Sequence, residues 1–142
     1  FKILTSEHEK EILEFLEKWK ETKEHAQEHE FIDWEARGIK YILDHEDVLE
    51  YKIGAAYIDG KLEAFTIGNY YKEEDIVYIP IEKANPNIRG LYQYICSEFL
   101  VEVFPEAAKE NREDDMGLEG LRKSKQSYNP IYMVEKYTVI QK

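Results

Sequence analysis

Residues 111–117 read Asn-Arg-Glu-Asp-Asp-Met-Gly, and Arg122, Lys123 and Lys125 follow closely. A guanidinium, several carboxylates and an ammonium in one strand-turn-helix can grip an ionic substrate through paired hydrogen bonds and set a base beside it. The candidates are Asn111, Arg112, Asp114, Asp115, Arg122 and Lys125. A salt-bridged surface turn carries the same residues. Gly117 and Gly120 mark a shaped loop and favour the chemical reading.

A second candidate is the loop Asn85-Pro86-Asn87-Ile88-Arg89-Gly90, just ahead of an apolar segment with helical spacing. Main-chain N–H groups at a helix start suit an anion, so Asn87, Arg89 and Gly90 are its expected contacts. An ordinary loop with a glycine helix start fits equally well. His25-Ala26-Gln27-Glu28-His29 matches a zinc-protease spacing. Its surroundings are polar all round, with no third ligand nearby, so no metal site is expected. Cys96 lies among apolar residues with no histidine after His45, the setting of a buried structural thiol.

These residues must be positioned by a scaffold that periodicity makes readable. Ser6-Glu7-His8-Glu9 has the capping-box pattern. Ile12, Leu13, Phe15, Leu16 and Trp19 then form one helical stripe, and Ile32, Ala36, Ile39 and Leu43 a second, ending near Asp44. From 53 the period changes to that of strands: 53–58, 62–71 and 76–81, with a two-residue Asp59-Gly60 turn between the first pair. Pro80 belongs at an edge or bulge. A helix is expected from about Gly90 to Phe104, then a short strand or extended loop over 109–116, and a short helix from Leu118 that stops before Asn129-Pro130. Residues 132–134 and 137–140 are expected to close the sheet. Phe1–Leu4 reads as a strand tail, and with no initiator Met the chain is expected to be cut from a larger one.

The 142 residues fit one domain, 1–142, with 43% hydrophobic and 35% charged side chains. No run approaches the roughly 20 apolar residues of a membrane span, and one cysteine allows no internal disulfide. A soluble, cytoplasmic protein without a transmembrane segment is expected. The net charge is −11, distributed as +3 over residues 117–142 and −14 over the rest. That field repels phosphate backbones, so no direct nucleic-acid binding is expected from this domain alone.

The stretches Ile81-Glu82-Lys83-Ala84 and Gly90-Leu91-Tyr92-Gln93, residues 111–130 and Glu135-Lys136-Tyr137 together resemble a family of uncharacterised bacterial proteins. That family is related to the C-terminal domain of phosphatidylglycerol lysyltransferase. The resemblance implies an α/β (α+β) fold of the GNAT acyltransferase type, a mixed, mostly antiparallel sheet flanked by helices. It also implies tandem repeats akin to the Fem aminoacyltransferases, with this chain as the C-terminal repeat and an N-terminal GNAT-like repeat as its partner. The activity implied is acyl or aminoacyl transfer to a small-molecule substrate; a non-catalytic half-domain that binds a small molecule or packs on its partner is the alternative. Glu82, Lys83, Asn111, Arg122 and Lys125 are the substrate-binding positions to test, and Arg112, Asp114, Asp115 and Tyr128 the catalytic ones. The GNAT phosphate pattern, Gln/Arg-x-x-Gly-x-Gly/Ala aligned on Gly90, here has uncharged Asn87 first and bulky Tyr92 last. The cofactor is therefore left open, acyl-CoA included. Pro80 and Cys96 depart from the His and Asn expected there.

Overall fold

The computed structural model describes residues 1–24 and 26–141. They form two compact units, Phe1–Asn111 and Arg112–Lys142. The first holds a five-stranded sheet in the order β1-β2-β3-β4-β5, with strands Lys2–Leu4, Lys52–Ile58, Lys61–Tyr71, Ile76–Ala84 and Lys109–Asn111. All neighbours are antiparallel except β4 and β5, which run parallel. Helices α1 (Glu9–Lys20) and α2 (Ala26–Asp44) precede β2, and α3 (Leu91–Val103) links β4 to β5. The second unit contains one helix, α4 (Glu119–Gln126).

The two helical stripes do what their spacing predicts. Ile12, Phe15 and Leu16 of α1 and Ile32, Ile39 and Leu43 of α2 are buried with Phe65, Ile67 and Ile53 of the sheet. Phe15 meets Phe65 edge-on, with ring centroids 5.8 Å apart. Around α3 the buried residues are Leu91, Ile95, Cys96 and Phe99, grouped with Ala56, Ala64, Val77 and Ile79. Strand β3 is thus covered on both faces, which explains its nearly continuous apolar run. Cys96 is buried, and its Sγ lies 3.5 Å from Glu110 Oε2.

The Asp59-Gly60 turn has φ of 50° and 77°, the left-handed pair a tight hairpin needs. Strand β4 runs three residues beyond the expected end at Ile81, because Glu82, Lys83 and Ala84 still pair with Thr66, Phe65 and Ala64. Between Tyr78 and Ile81 the register with β3 shifts, and Pro80 sits in this irregularity. Gly68 is squeezed there: an added Cβ would lie 2.8 Å from the Tyr78 carbonyl oxygen and 2.9 Å from the Phe99 ring.

Two expectations are corrected. Ser6 is not the first helical cap. It sits inside a short 3-10 turn, Ser6–His8, and both its N–H (2.7 Å) and its hydroxyl (2.9 Å) donate to Glu46. A carboxylate distant in sequence outcompetes the local cap. No closing strand forms either: residues 129–141 carry no regular structure, and Ile131, Tyr137, Val139 and Ile140 are each at least 80% exposed. Strand-forming side chains alone do not make a strand, which needs a paired edge.

Replacing Gly68 by alanine is expected to cost about 1–3 kcal/mol, since a main-chain oxygen cannot yield as a side chain can. Equilibrium urea unfolding measures this; a loss below about 0.5 kcal/mol would show that the bulge relaxes freely.

Candidate functional site

In the second unit the charged run of 112–117 folds into a loop with three left-handed residues, Glu113 (φ 57°), Met116 (52°) and Gly117 (73°). Two of them have side chains, and each such conformation costs on the order of 1 kcal/mol. The loop is held by specific bonds. The Lys125 ammonium donates to the carbonyls of Arg112, Glu113 (2.9 Å) and Asp114 (2.6 Å). The Asp114 and Asp115 carboxylates accept the N–H groups of Met116 and Gly117, both at 2.9 Å. Arg122 forks onto Asp115 through Nε and Nη2, the latter at 3.2 Å. Lys136 pairs with Asp114 at 3.4 Å.

Helix α4 makes this possible. It places Arg122 and Lys125 three residues apart on one face, so that both reach back to the loop. Burial, followed by the Arg112 charge, lowers the proton affinity of Lys125. Arg122, with help from the Gly117 N–H, holds the Asp115 carboxyl at about 2. The Met116 N–H lowers Asp114 as well. Arg112 lies over the Tyr128 ring, its guanidinium carbon 4.2 Å from the centroid. Arg112, Asp114, Asp115, Arg122, Lys125 and Tyr128 are therefore gathered within one unit.

The remaining candidates belong to the first unit and have their own surroundings. Asn111 ends β5 in register with Tyr78. Lys83, near the end of β4, pairs with Glu35 of α2 and lies 4.8 Å from the Trp19 ring centroid. The indole N–H of Trp19 donates to the Ala84 carbonyl at 3.0 Å. Glu82, its neighbour on β4, is half-buried and adds to the raised proton affinity of the Tyr92 hydroxyl. Burial is the chief cause of that rise, and the Ala84 backbone and Trp19 oppose it. Glu35, Trp19 and Lys136 are not among the candidate site residues read from the sequence, although Lys136 lies in a stretch that carries the family resemblance. Trp19 is visible only as the last member of an apolar stripe, and Glu35 as one carboxylate among thirty acidic residues.

Ahead of α3, Gly90 takes the left-handed conformation (φ 82°). The Asn87 N–H is committed to Asn85 Oδ1 and the Leu91 N–H to the Ile88 carbonyl. Asn87 and Arg89 are exposed, and Tyr92 is largely withdrawn from solvent. The Asn87 and Leu91 amides are thus spent within the loop, and Asn87 brings no charge to an anion there. Of the zinc-like pattern, His25 lies outside the described residues, while His29 Nε2 is 2.9 Å from the Lys23 carbonyl. Among the described residues no metal-ligating cluster occurs, and no helix is long and apolar enough to cross a membrane.

Comparison with known proteins adds four findings. A family profile described as "Phosphatidylglycerol lysyltransferase, C-terminal" matches residues 1–140. A solved structure of a conserved protein of unknown function from Bacteroides thetaiotaomicron is 29% identical, with a TM-score of 0.76 over 93% of this chain and 44% of that one. A ribosomal-protein-alanine N-acetyltransferase from Brucella melitensis superposes with a TM-score of 0.67 over 99% and 98% of the two chains, at 13% identity, and so shares the fold. An uncharacterised protein of Mycoplasmoides gallisepticum is 32% identical over 88 residues, 62% of this chain and 28% of that one. The chain thus spans less than half the length of the Bacteroides and Mycoplasmoides relatives.

The Asp115 carboxyl should titrate by NMR with a midpoint at about 2, and Arg122→Gln should return it towards 3.8. Because the folded value is depressed, the fork's support for the loop is present above the ordinary carboxylate pKa and is lost as pH falls towards 2. A midpoint unmoved by Arg122→Gln would show that the fork does not exist in solution.

Proposed function

Since the chain belongs to the phosphatidylglycerol lysyltransferase C-terminal family, with a GNAT-type fold, we propose that it is an acyl- or aminoacyl-transferase domain whose working loop is residues 112–128. One observation carries this reading. A loop with two non-glycine residues in the left-handed region is clamped by an ammonium on three successive carbonyls and by an arginine fork. Local strain over-determined by surrounding bonds clusters at functional sites.

The roles follow from the chemistry. Lys125 spends its donors on the main chain and Arg122 on Asp115, so both position the loop. Asp115, held at about 2, is too weak a base to take a proton near neutral pH; it acts as a fixed anion. Arg112, its guanidinium carbon 4.2 Å from the Tyr128 ring centroid, supplies the planar, forked donors that carboxylate or phosphate recognition needs. In the transfer itself the lone pair of an amine or hydroxyl bonds to the acyl carbon of an ester. The ester C–O bond breaks, and the nucleophile's proton ends on the departing oxygen. A cation near the carbonyl oxygen stabilises the charge that builds there. Asn111, Glu82 and Lys83 belong to the first unit and are proposed separately as substrate contacts.

The charge distribution favours one refinement. With −14 outside residues 117–142, this chain is a poor surface for a tRNA donor. In an aminoacyl-tRNA reaction the grip on the polyanion falls to another part of a longer protein, and a non-catalytic half-domain is the limiting case.

The test is transfer of labelled lysine from lysyl-tRNA to phosphatidylglycerol vesicles or to free amines, read by thin-layer chromatography. Arg112→Ala should lower the rate by about 100-fold or more and shift the melting temperature by less than about 2 °C. A large fall in melting temperature instead marks Arg112 as structural, and no transfer by the wild-type chain supports the half-domain reading.

A further inference from the structure

Within the first unit, Lys83, one of the proposed substrate contacts, is held in an arrangement of buried side chains. Lys83 and Glu35 are 48 positions apart in sequence, yet each side chain is only 12% exposed. The Lys83 ammonium donates to Glu35 Oε1 at 3.0 Å and lies 2.9 Å from Oε2. It also sits 4.8 Å from the centroid of the Trp19 ring, within reach of a cation–π attraction. The ring itself is fixed by its N–H bond to the Ala84 carbonyl, and a second ammonium, that of Lys23, lies 4.1 Å from its centroid.

A carboxylate beside an anchored indole is a receptor for a primary ammonium: one side supplies hydrogen-bond acceptors and charge, the other a π face. Glu35 Oε2 is buried and faces the same Lys83 ammonium at 2.9 Å, so both carboxylate oxygens serve one cation. A buried ion pair gains little over well-packed apolar side chains, because desolvation offsets the attraction. Stability therefore gives no reason to build this one.

We propose that Trp19 and Glu35 form an ammonium-binding box whose resident occupant is the chain's own Lys83, and that the primary ammonium of an amine-bearing substrate takes its place. The exchange leaves the box with the same charge, and the displaced Lys83 regains water, so nothing in the charge balance opposes it. The tether makes Lys83 a strong competitor, as an intramolecular partner has a high effective concentration. The inference deepens the transferase reading by naming the class of group accommodated. It is measured by binding rather than turnover, so either can fail without the other.

The probe is n-butylammonium chloride, followed by Trp19 fluorescence in a Trp34→Phe background, which leaves Trp19 as the sole tryptophan. Trp34 is 62% exposed, so its replacement spares the core. The expected result is a saturable change with n-butylammonium, absent with n-butanol and with sodium chloride at equal ionic strength. Lys83→Ala should tighten the binding by about tenfold or more, and Glu35→Gln should abolish it. Absence of saturation in the protein that keeps Lys83 overturns the proposal. So does binding confined to Lys83→Ala, which would report only a hole left by the substitution. Should Lys83→Ala fail to fold, the Lys83-containing protein decides alone.

Discussion

Strand β4 pairs with β3 from Ile76 to Ala84 but with β5 only at Ile76, Val77 and Tyr78. The rest of the first unit is arranged around that unequal pairing. From Ile79 onward the strand is held on one side only, and Pro80, which has no N–H to offer, stands at the start of the stretch. The same place carries the register shift against β3 and the close approach of the Tyr78 carbonyl to Gly68. A sheet that opens along one strand exposes main-chain groups that must be met by something else. Part of the answer here is side-chain chemistry: Trp19 donates its indole N–H to the Ala84 carbonyl. Glu82 and Lys83 emerge from the one-sided end of β4 for the same reason.

How much of this the sequence discloses depends on the range of the interaction. Helical stripes and the Asp59-Gly60 turn are set by neighbours within a few residues, and the structure follows them closely. The same holds for the buried thiol of Cys96, whose neighbours Ile95 and Phe99 are local. The three added residues of β4 are not disclosed, because Glu82 and Lys83 look like the start of a loop until their partners on β3 are known. Ser6 illustrates the converse: its local motif is a sound helix cap, and a glutamate 40 positions away takes it over. Residues 131–140 have strand-like composition and no strand, since propensity describes fitness for a paired edge rather than the edge itself.

Among site residues the division is similar. The cluster from Arg112 to Tyr128 is contained in a short segment, so its members could be named from the sequence, though not their partners. Arg122 and Lys125 look interchangeable there, two cations on a short helix. In the structure one grips a carboxylate and the other three carbonyls. Planar, forked donors suit the first task and a compact, rotatable ammonium the second. The Trp19–Glu35 pair lay beyond reach, because nothing links an α1 aromatic, an α2 carboxylate and a β4 lysine except the fold.

The electrostatics of the loop also decide which chemistry it can support. A general base needs a proton affinity near the working pH, and the loop moves the other way: main-chain N–H groups lower both Asp114 and Asp115, and an arginine lowers Asp115 further. The carboxylates are thus structural anions that keep the left-handed turn and α4 together, and Asp115 in turn fixes Arg122. In aminoacyl transfer such an arrangement loses little. An amine acceptor that arrives uncharged needs no strong base before it attacks, and an activated ester leaves readily once its carbonyl charge is stabilised. Orientation and a fixed cation then carry most of the burden. A site of this type tolerates weakly basic carboxylates, whereas one that had to deprotonate an alcohol would not.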